Sequence, residues 1–525
     1  MSRFMDALKG KTARTSSTTT PQRVKAVKVP TEVALLQRTD YTGGRTANAA
    51  VTHSTSQSAL VDLFFQIGAM RNVPARNRAE EFLKAYRLNP LDALRMIFYA
   101  RDVRGGQGER ETFRVMFRVL CLEDPAVAAL NLHLVPVYGR WDDMYVTQGT
   151  TLEAGAVNLW ATAIKAKDGL ACKWAPREKS ARSEWALRLR NALGWSAKAY
   201  RKFIAANSKT VEQAMCAGDW ETITYEHVPA QAMSRLRKAF AKHDGERFTA
   251  FKGAVKYGKT KINAGTAIHP HEILAMMRTT GTRSYRHGYG YGYAGNATYR
   301  HDDTLELQWK ALKDFAGKSG RNALVVTDVS GSMEIRLADS KAQIIDVAIA
   351  IAVYCGERLS GPYKDHAVTF SDKPTLVDFS KEKTLAAKAT KVGTANWAGS
   401  TNIEAVFDLI LGAAVRYGLT QDELPSTLIV VSDMEFNHAG RGTNYAKAAN
   451  KFAQAGFKLP EIVWWNVNAR PGNNPVRKHE TGTALISGYS PSILSQVLGS
   501  DLMTPERVMR KVLDGQRYEA VRIQS

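Results

Sequence analysis

The chain has 525 residues, 44% of them hydrophobic and 23% charged, an ordinary balance for a soluble globular protein of two or three domains. Its four cysteines (Cys121, Cys172, Cys216 and Cys355) stand far apart with no CxxC pair, which excludes a disulfide framework or a cysteine zinc site and fits a reducing compartment. The 72 Lys and Arg outnumber the 50 Asp and Glu, giving a formal charge of +22.

That charge is unevenly placed. Residues 321–525 hold 23 basic and 21 acidic residues, so +20 of the total lies in residues 1–320. Such asymmetry points to a polyanion, and for a soluble protein the usual polyanion is nucleic acid. No apolar run is long enough to cross a bilayer: IIDVAIAIAVYC (344–355) is short, carries Asp346 and reads as a buried helix. The first residues, MSRFMDALKGKTARTSSTTTPQR, lack the apolar segment of a secretory signal, and a cytoplasmic protein is expected.

In chain order, residues 1–54 are rich in Ser, Thr, Lys and Arg without a sustained period and read as a flexible basic arm. Residues 55–280 carry apolar positions at three- and four-residue spacing, as in SALVDLFFQIGAMR, PLDALRMIFYARDVR, RETFRVMFRVLCL and AQAMSRLRKAFAKH. Helices of this length with short Gly, Pro or Asp punctuation suggest a HEAT-like α-helical solenoid. In RGGQGER, Gly105 and Gly106 allow a tight helix–helix turn with Glu109 and Arg110 pairing locally, and HPHE (269–272) reads as a helix start. Residues 281–304 are a Gly/Tyr-rich linker or loop. Their formal GxGxxG (Gly290, Gly292, Gly295) follows no strand, so a dinucleotide site is not expected.

From 305 to 525 the pattern changes. A bridging helix, LELQWKALKDF, precedes alternating strands and helices: NALVVTD, KAQIIDVAIAIAVYCGERL, HAVTF, NIEAVFDLILGAAVRYG, STLIVVSD, NYAKAANKFAQAG, EIVWWNV and TALISG. Fully apolar strands between amphipathic helices mean a doubly wound parallel sheet, with its ligand site beyond the carboxyl ends of the strands. Two strands end alike, NALVVTD in Asp328 and STLIVVSD in Asp433. Ser330 and Ser332 follow the first, and Thr401 precedes a helix in GSTN. Carboxylate and hydroxyl oxygens without His or Cys suit Mg²⁺ or Mn²⁺.

DVSGSM, GSTN and VSD together resemble the metal-ion-dependent adhesion site of von Willebrand factor type A domains. The resemblance implies Ser330, Ser332 and Thr401 as metal ligands, with Asp328 and Asp433 ligating directly or through water. Further stretches (MIFYARDVRGGQGERETFR, VPVYGRWDDM, KINAGTAIHPHEI, VSDMEFN, EIVWWNVN and TALISGYSP) are similar to the helical-plus-A-domain proteins of plants, viruses and bacteria, relatives of the TROVE-containing Ro 60 kDa autoantigen family. That family implies a ring of HEAT-like helices closed by the A domain. It would bind small structured Y-like non-coding RNA on a basic face and single-stranded or misfolded RNA 3′ ends in RNA quality control.

The candidate phosphate contacts are Arg101, Arg104 and Arg110 around RGGQGER; Arg235, Arg237, Lys238 and Lys242 on one helix; and Lys252, Lys256, Lys259 and Lys261 beyond it. In the Gly/Tyr loop, Arg283, Arg286 and Arg300 would meet phosphates while aromatics stack bases. No membrane partner and no DNA specificity are expected. The alternative is a Mg²⁺-dependent protein adhesion or scaffold module, in which the metal captures a partner's carboxylate. Enzymatic function is not expected: the aspartyl-phosphate pattern needs a second carboxylate where this chain has Ser330.

Overall fold

The computed structural model describes residues 3–8, 43–208, 210–265, 268–279, 297–317, 322–370, 373–395, 402–436, 443–470, 472–498 and 503–524. The chain forms two compact units, each assembled from separated segments: a sheet unit of residues 1–73, 269–302 and 314–512, and a helical unit of residues 74–268, 303–313 and 513–525.

The sheet unit is built on six strands: β3 (Ala323–Asp328), β4 (His366–Phe370), β5 (Thr375–Asp378), β6 (Thr427–Ser432), β7 (Glu461–Asn466) and β8 (Thr483–Ser487), in the order β5-β4-β3-β6-β7-β8. All neighbours pair in parallel except β4 and β5, which are antiparallel. The short edge strand β5 is absent from the sequence reading, because four residues in a half-exposed turn region carry no apolar run. β3, β6 and β8 are buried at every position, as strands covered on both faces must be. The helix Ile344–Arg358 is buried from Ile344 to Gly356, which explains why it is apolar on nearly every side.

Three segments sit elsewhere than composition suggests. The helix Ala59–Ile67, read as the first of the helical domain, packs against β8. Ser487 Oγ donates to Phe64 O at 3.0 Å and accepts from Gly68 N at 3.1 Å, and a Cβ on Gly68 would lie 2.7 Å from Ser487 O. The helix Asp303–Lys310 packs in the helical unit instead, where Gln308 Nε2 reaches Ala230 O at 3.0 Å and Asn263 O at 3.1 Å. Parts of the basic arm are also seated on the sheet unit. Phe4 and Met5, in the helix Arg3–Leu8, are wholly buried, and the short strands β1 (Gly44–Arg45) and β2 (Val51–Thr52) form a hairpin whose His53 pairs with Asn474. Periodicity reveals that a helix buries a face; it does not say against what.

In the helical unit, many short helices pack mainly on near neighbours in sequence. One core gathers Tyr225, Met233, Phe240, Phe248 and Phe251 with Ile223, Val228 and Ile262. A second aromatic cluster stacks Trp141 on Trp160, with Trp185 and Tyr145 edging in. In the RGGQGER turn, a Cβ on Gly106 would fall on Tyr99 O, so only glycine fits there. In the same turn Arg110 Nε bonds Glu111 at 2.8 Å, and Glu109 is buried. At the start of the helix Pro270–Met277, His269 N donates to Glu272 Oε2 at 2.8 Å, so HPHE is the helix start the sequence implies.

Candidate metal site and basic surface

β3 and β6 are adjacent, and the strand order reverses between them. In a doubly wound sheet the crevice at the carboxyl ends of such a pair is where ligands bind. Asp328 is the last residue of β3, and Asp433 directly follows β6. Asp328 is wholly buried: its Oδ1 accepts from Ser330 N at 2.9 Å and its Oδ2 from Ser432 Oγ at 2.7 Å. The Ser330 and Ser332 hydroxyls lie 3.0 Å apart on the turn that follows.

Two buried carboxylates at the ends of adjacent strands disfavour each other's charge. Burial, together with the Asp433 carboxylate, pushes Asp328 up to about 7. Burial raises Asp433 too, opposed by the Arg470 guanidinium. Asp433 Oδ2 accepts no hydrogen bond, and Arg470 Nη2 stands 3.6 Å from it, beyond hydrogen-bond reach. A divalent cation fits such a place, since it would neutralise both carboxylates and take hydroxyl oxygens as further ligands. Among the described residues no three His, Cys, Asp or Glu side chains gather as a ligand set, so a metal here would depend on serine oxygens. Asp328, Ser330, Ser332 and Asp433 are brought together; Thr401 lies outside the described residues.

A second layer around Asp433 escaped the sequence reading. Met434 has φ +63°, a left-handed conformation that a side chain disfavours, and it is held there by Met434 N bonding Ser432 Oγ at 2.9 Å and Asn473 Nδ2 donating to Met434 O at 2.8 Å. Arg470 Nε also pairs with buried Glu435 at 3.3 Å. Glu435 Oε2 accepts from Ala47 N at 2.5 Å, Asn48 Nδ2 donates to Glu435 O, and Thr46 Oγ donates to Phe436 O. The β1–β2 hairpin is thereby strapped onto the loop that carries Asp433. Residues 44–48 and 470–473 bear no motif; Ser432, Met434, Glu435 and Phe436 belong to VSDMEFN.

The basic candidates divide. Arg101 is a correction: it is 2% exposed, and its Nε donates to buried Asp143 at 2.7 Å, so it is a structural cation and no surface for phosphate. Arg104 is exposed, with Nη1 on Val137 O, and half-buried Arg110 is engaged by Glu111. Arg235, Lys238 and Lys242 are exposed along the helix Ala230–His243, at the spacing of a single face, while Arg237 turns back to Ser234 O. Lys256, Lys259 and Lys261 are exposed, and half-buried Lys252 lies over the Phe248 ring at 5.3 Å. Arg300 is exposed; Arg283, Arg286 and the GxGxxG glycines lie outside the described residues.

The helical unit's charge is itself polarised. Residues 74–160 hold 11 Lys and Arg and 11 Asp and Glu, whereas residues 161–268 hold 21 and 9. In the first half, arginines are consumed internally: Arg114 reaches both Asp142 and Asp143, and Arg140 pairs with Asp142 while stacking on Trp174. The whole excess lies in the second half.

Comparison with known proteins places the chain. The pattern of the domain of unknown function DUF2828 matches residues 46–148 and 161–321. The chain belongs to the DUF2828 family. The domain of unknown function DUF7788 matches residues 322–523, the segment that carries the sheet. Uncharacterized protein L728 of Acanthamoeba polyphaga mimivirus is similar at 25% identity, over 89% of this chain and 87% of its own length. Among solved structures, the Ro (RSR) protein of Deinococcus radiodurans aligns at 14% identity with a TM-score of 0.37, over 88% of this chain and all of that one. No helix among the described residues is long and apolar enough to cross a membrane.

Proposed function

We propose that this DUF2828 protein is a non-catalytic RNA-binding protein of Ro ribonucleoprotein type. In this reading the helical unit holds small structured non-coding RNA by its phosphates, and single-stranded ends engage the same basic surface in RNA quality control. The observation that carries the reading is the concentration of charge: 21 basic against 9 acidic residues in 161–268, beside a neutral 74–160. Lysines without carboxylate partners release counterions when they meet phosphates, and that release drives affinity. The sequence resemblance to the Ro 60 kDa family agrees with the charge argument but is independent of it. The test is crosslinking and sequencing of RNA bound in the native host, with affinity measured across salt. RNA-free protein from the host, together with binding indifferent to salt, refutes the reading.

A second reading concerns the sheet unit and is favoured by the paired burial of Asp328 and Asp433 beside two serine hydroxyls. Here Mg²⁺ or Mn²⁺ would be held by Asp328, Ser330, Ser332 and Asp433, with Thr401 as the expected fifth ligand. When bound, the ion would supply a Lewis-acidic position for a carboxylate of a protein partner. Asp328→Ala should then abolish partner capture and leave RNA affinity intact.

A further inference from the structure

The helix Gly245–Lys256 ends in a closed turn that leaves one aromatic ring in the open. Tyr257 N bonds Gly253 O at 3.1 Å, Gly258 N bonds Val255 O at 3.0 Å with Gly258 at φ +70°, and Lys259 N bonds Ala254 O at 2.9 Å. The last carbonyls are satisfied by backbone alone, so the cap needs nothing from the Tyr257 side chain. That side chain is 77% exposed, the most exposed large hydrophobic side chain among the described residues.

Its neighbours in sequence are cationic. Lys256, Lys259 and Lys261 are exposed and make no ion pair with a described carboxylate, and no Asp or Glu occurs between Glu246 and Glu272. Lys256 lies in the last turn, where the helix dipole accounts for a cation. Lys259 and Lys261 lie past the turn, outside that effect. A lone surface aromatic needs no explanation; an aromatic ring set among unpaired lysines matches the two groups of a nucleotide.

We propose that residues 256–261 form a stacking site for a single-stranded RNA base, with the Tyr257 ring on the base face and Lys256, Lys259 and Lys261 on the flanking phosphates. The inference rests on the RNA-binding reading above and narrows it. A duplex keeps its base faces covered, so the site takes single strands and leaves structured RNA to the lysines elsewhere. Every base has a π-face, so the site reads no sequence.

The test uses the full chain and fluorescence anisotropy with three probes: labelled oligouridine, an abasic oligoribonucleotide of equal length, and oligoglutamate. Tyr257→Ala should weaken oligouridine binding roughly five- to one-hundred-fold, the range that stacking of one base covers, and leave the abasic probe unchanged. Tyr257→Phe should retain wild-type affinity. The triple Lys→Gln variant at 256, 259 and 261 should weaken both RNAs and reduce the salt slope by about 2. If oligouridine binds the wild type and Tyr257→Ala alike, the stacking site is overturned and the RNA reading stands. If neither RNA binds at low salt, the RNA reading falls and the site with it. If oligoglutamate competes as well as oligouridine, the surface is a protein-docking face and the site is overturned. Circular dichroism of each variant checks its fold, which these exposed side chains at and beyond the helix end do not hold together.

Discussion

Ser432 donates its hydroxyl to Asp328 Oδ2 at 2.7 Å, tying the end of β6 to the end of β3 where the strand order reverses. The bond holds a buried carboxylate in place without neutralising it. Mg²⁺ or Mn²⁺ should therefore raise the thermal midpoint of the sheet unit, by up to about 2.7 kcal/mol of added stability at a hundredfold excess over the dissociation constant. EDTA should reverse the gain, and Asp328→Asn or Asp433→Asn should remove it. Differential scanning calorimetry with and without the ion decides this; a midpoint indifferent to millimolar Mg²⁺ and Mn²⁺ counts against the site.

Arg101 and Asp143 form an ion pair with both side chains almost entirely out of water. Asp143 keeps Arg114 Nε at 2.8 Å when Arg101 is removed, so Arg101→Ala leaves a buried carboxylate short of one charged donor and should cost about 1–3 kcal/mol by urea unfolding of the helical unit. A loss below about 1 kcal/mol for Arg101→Ala would show that the pair is wetter than its burial implies.

His271 is buried with neither ring nitrogen hydrogen-bonded, stacked on His269 and edged by Tyr489, with Arg71 over the Tyr489 ring. Burial, reinforced by Arg71 and His269, holds it well below the ordinary 6.5. The folded chain therefore binds fewer protons than the unfolded chain in acid. This contribution is fully present above 6.5 and is lost as pH falls below it, at up to about 1.4 kcal/mol per pH unit. His271→Leu should flatten the dependence between about pH 7.5 and 5.5. Equal slopes for the two proteins in urea titrations would remove His271 from the account.

The C-terminal segment holds the helical unit through Asp102. Arg517 pairs with this wholly buried carboxylate through Nε and through Nη2 at 2.6 Å, and Tyr518 OH donates to it at 3.2 Å. Arg517→Ala should destabilise the helical unit by about 1–3 kcal/mol, the cost of leaving a buried acceptor short of a charged donor. Deleting residues 513–525 should cost more, since Asn131 also bonds Arg522 O at 2.6 Å. Wild-type unfolding of the deletion variant would show the segment to be a passenger.

Much of the sheet was legible because its parallel strands are short and mainly apolar, and two of them lead into an aspartate: local signals that need no knowledge of neighbours. Asp328, Ser330, Ser332 and Asp433 could be grouped before any coordinates, since strand-end position in a doubly wound sheet follows from strand order. Arg470, Asn473 and the hairpin at 44–52 could not be grouped with them. Their positions are set by a left-handed turn at Met434 and by contacts across more than 380 residues, such as Ala47 with Glu435.

The sequence alone determined that a basic helical region precedes a nearly neutral α/β region, because charge count and periodicity are properties of the chain. Tertiary structure decided which cations are free. Arg101 and Arg235 are both arginines on amphipathic helices, yet one is sealed against Asp143 and the other faces water. Burial depends on what packs against a helix face, and the helix does not encode that. The same reason assigns Ala59–Ile67 to the sheet and Asp303–Lys310 to the helices, and leaves Tyr257 outside every core.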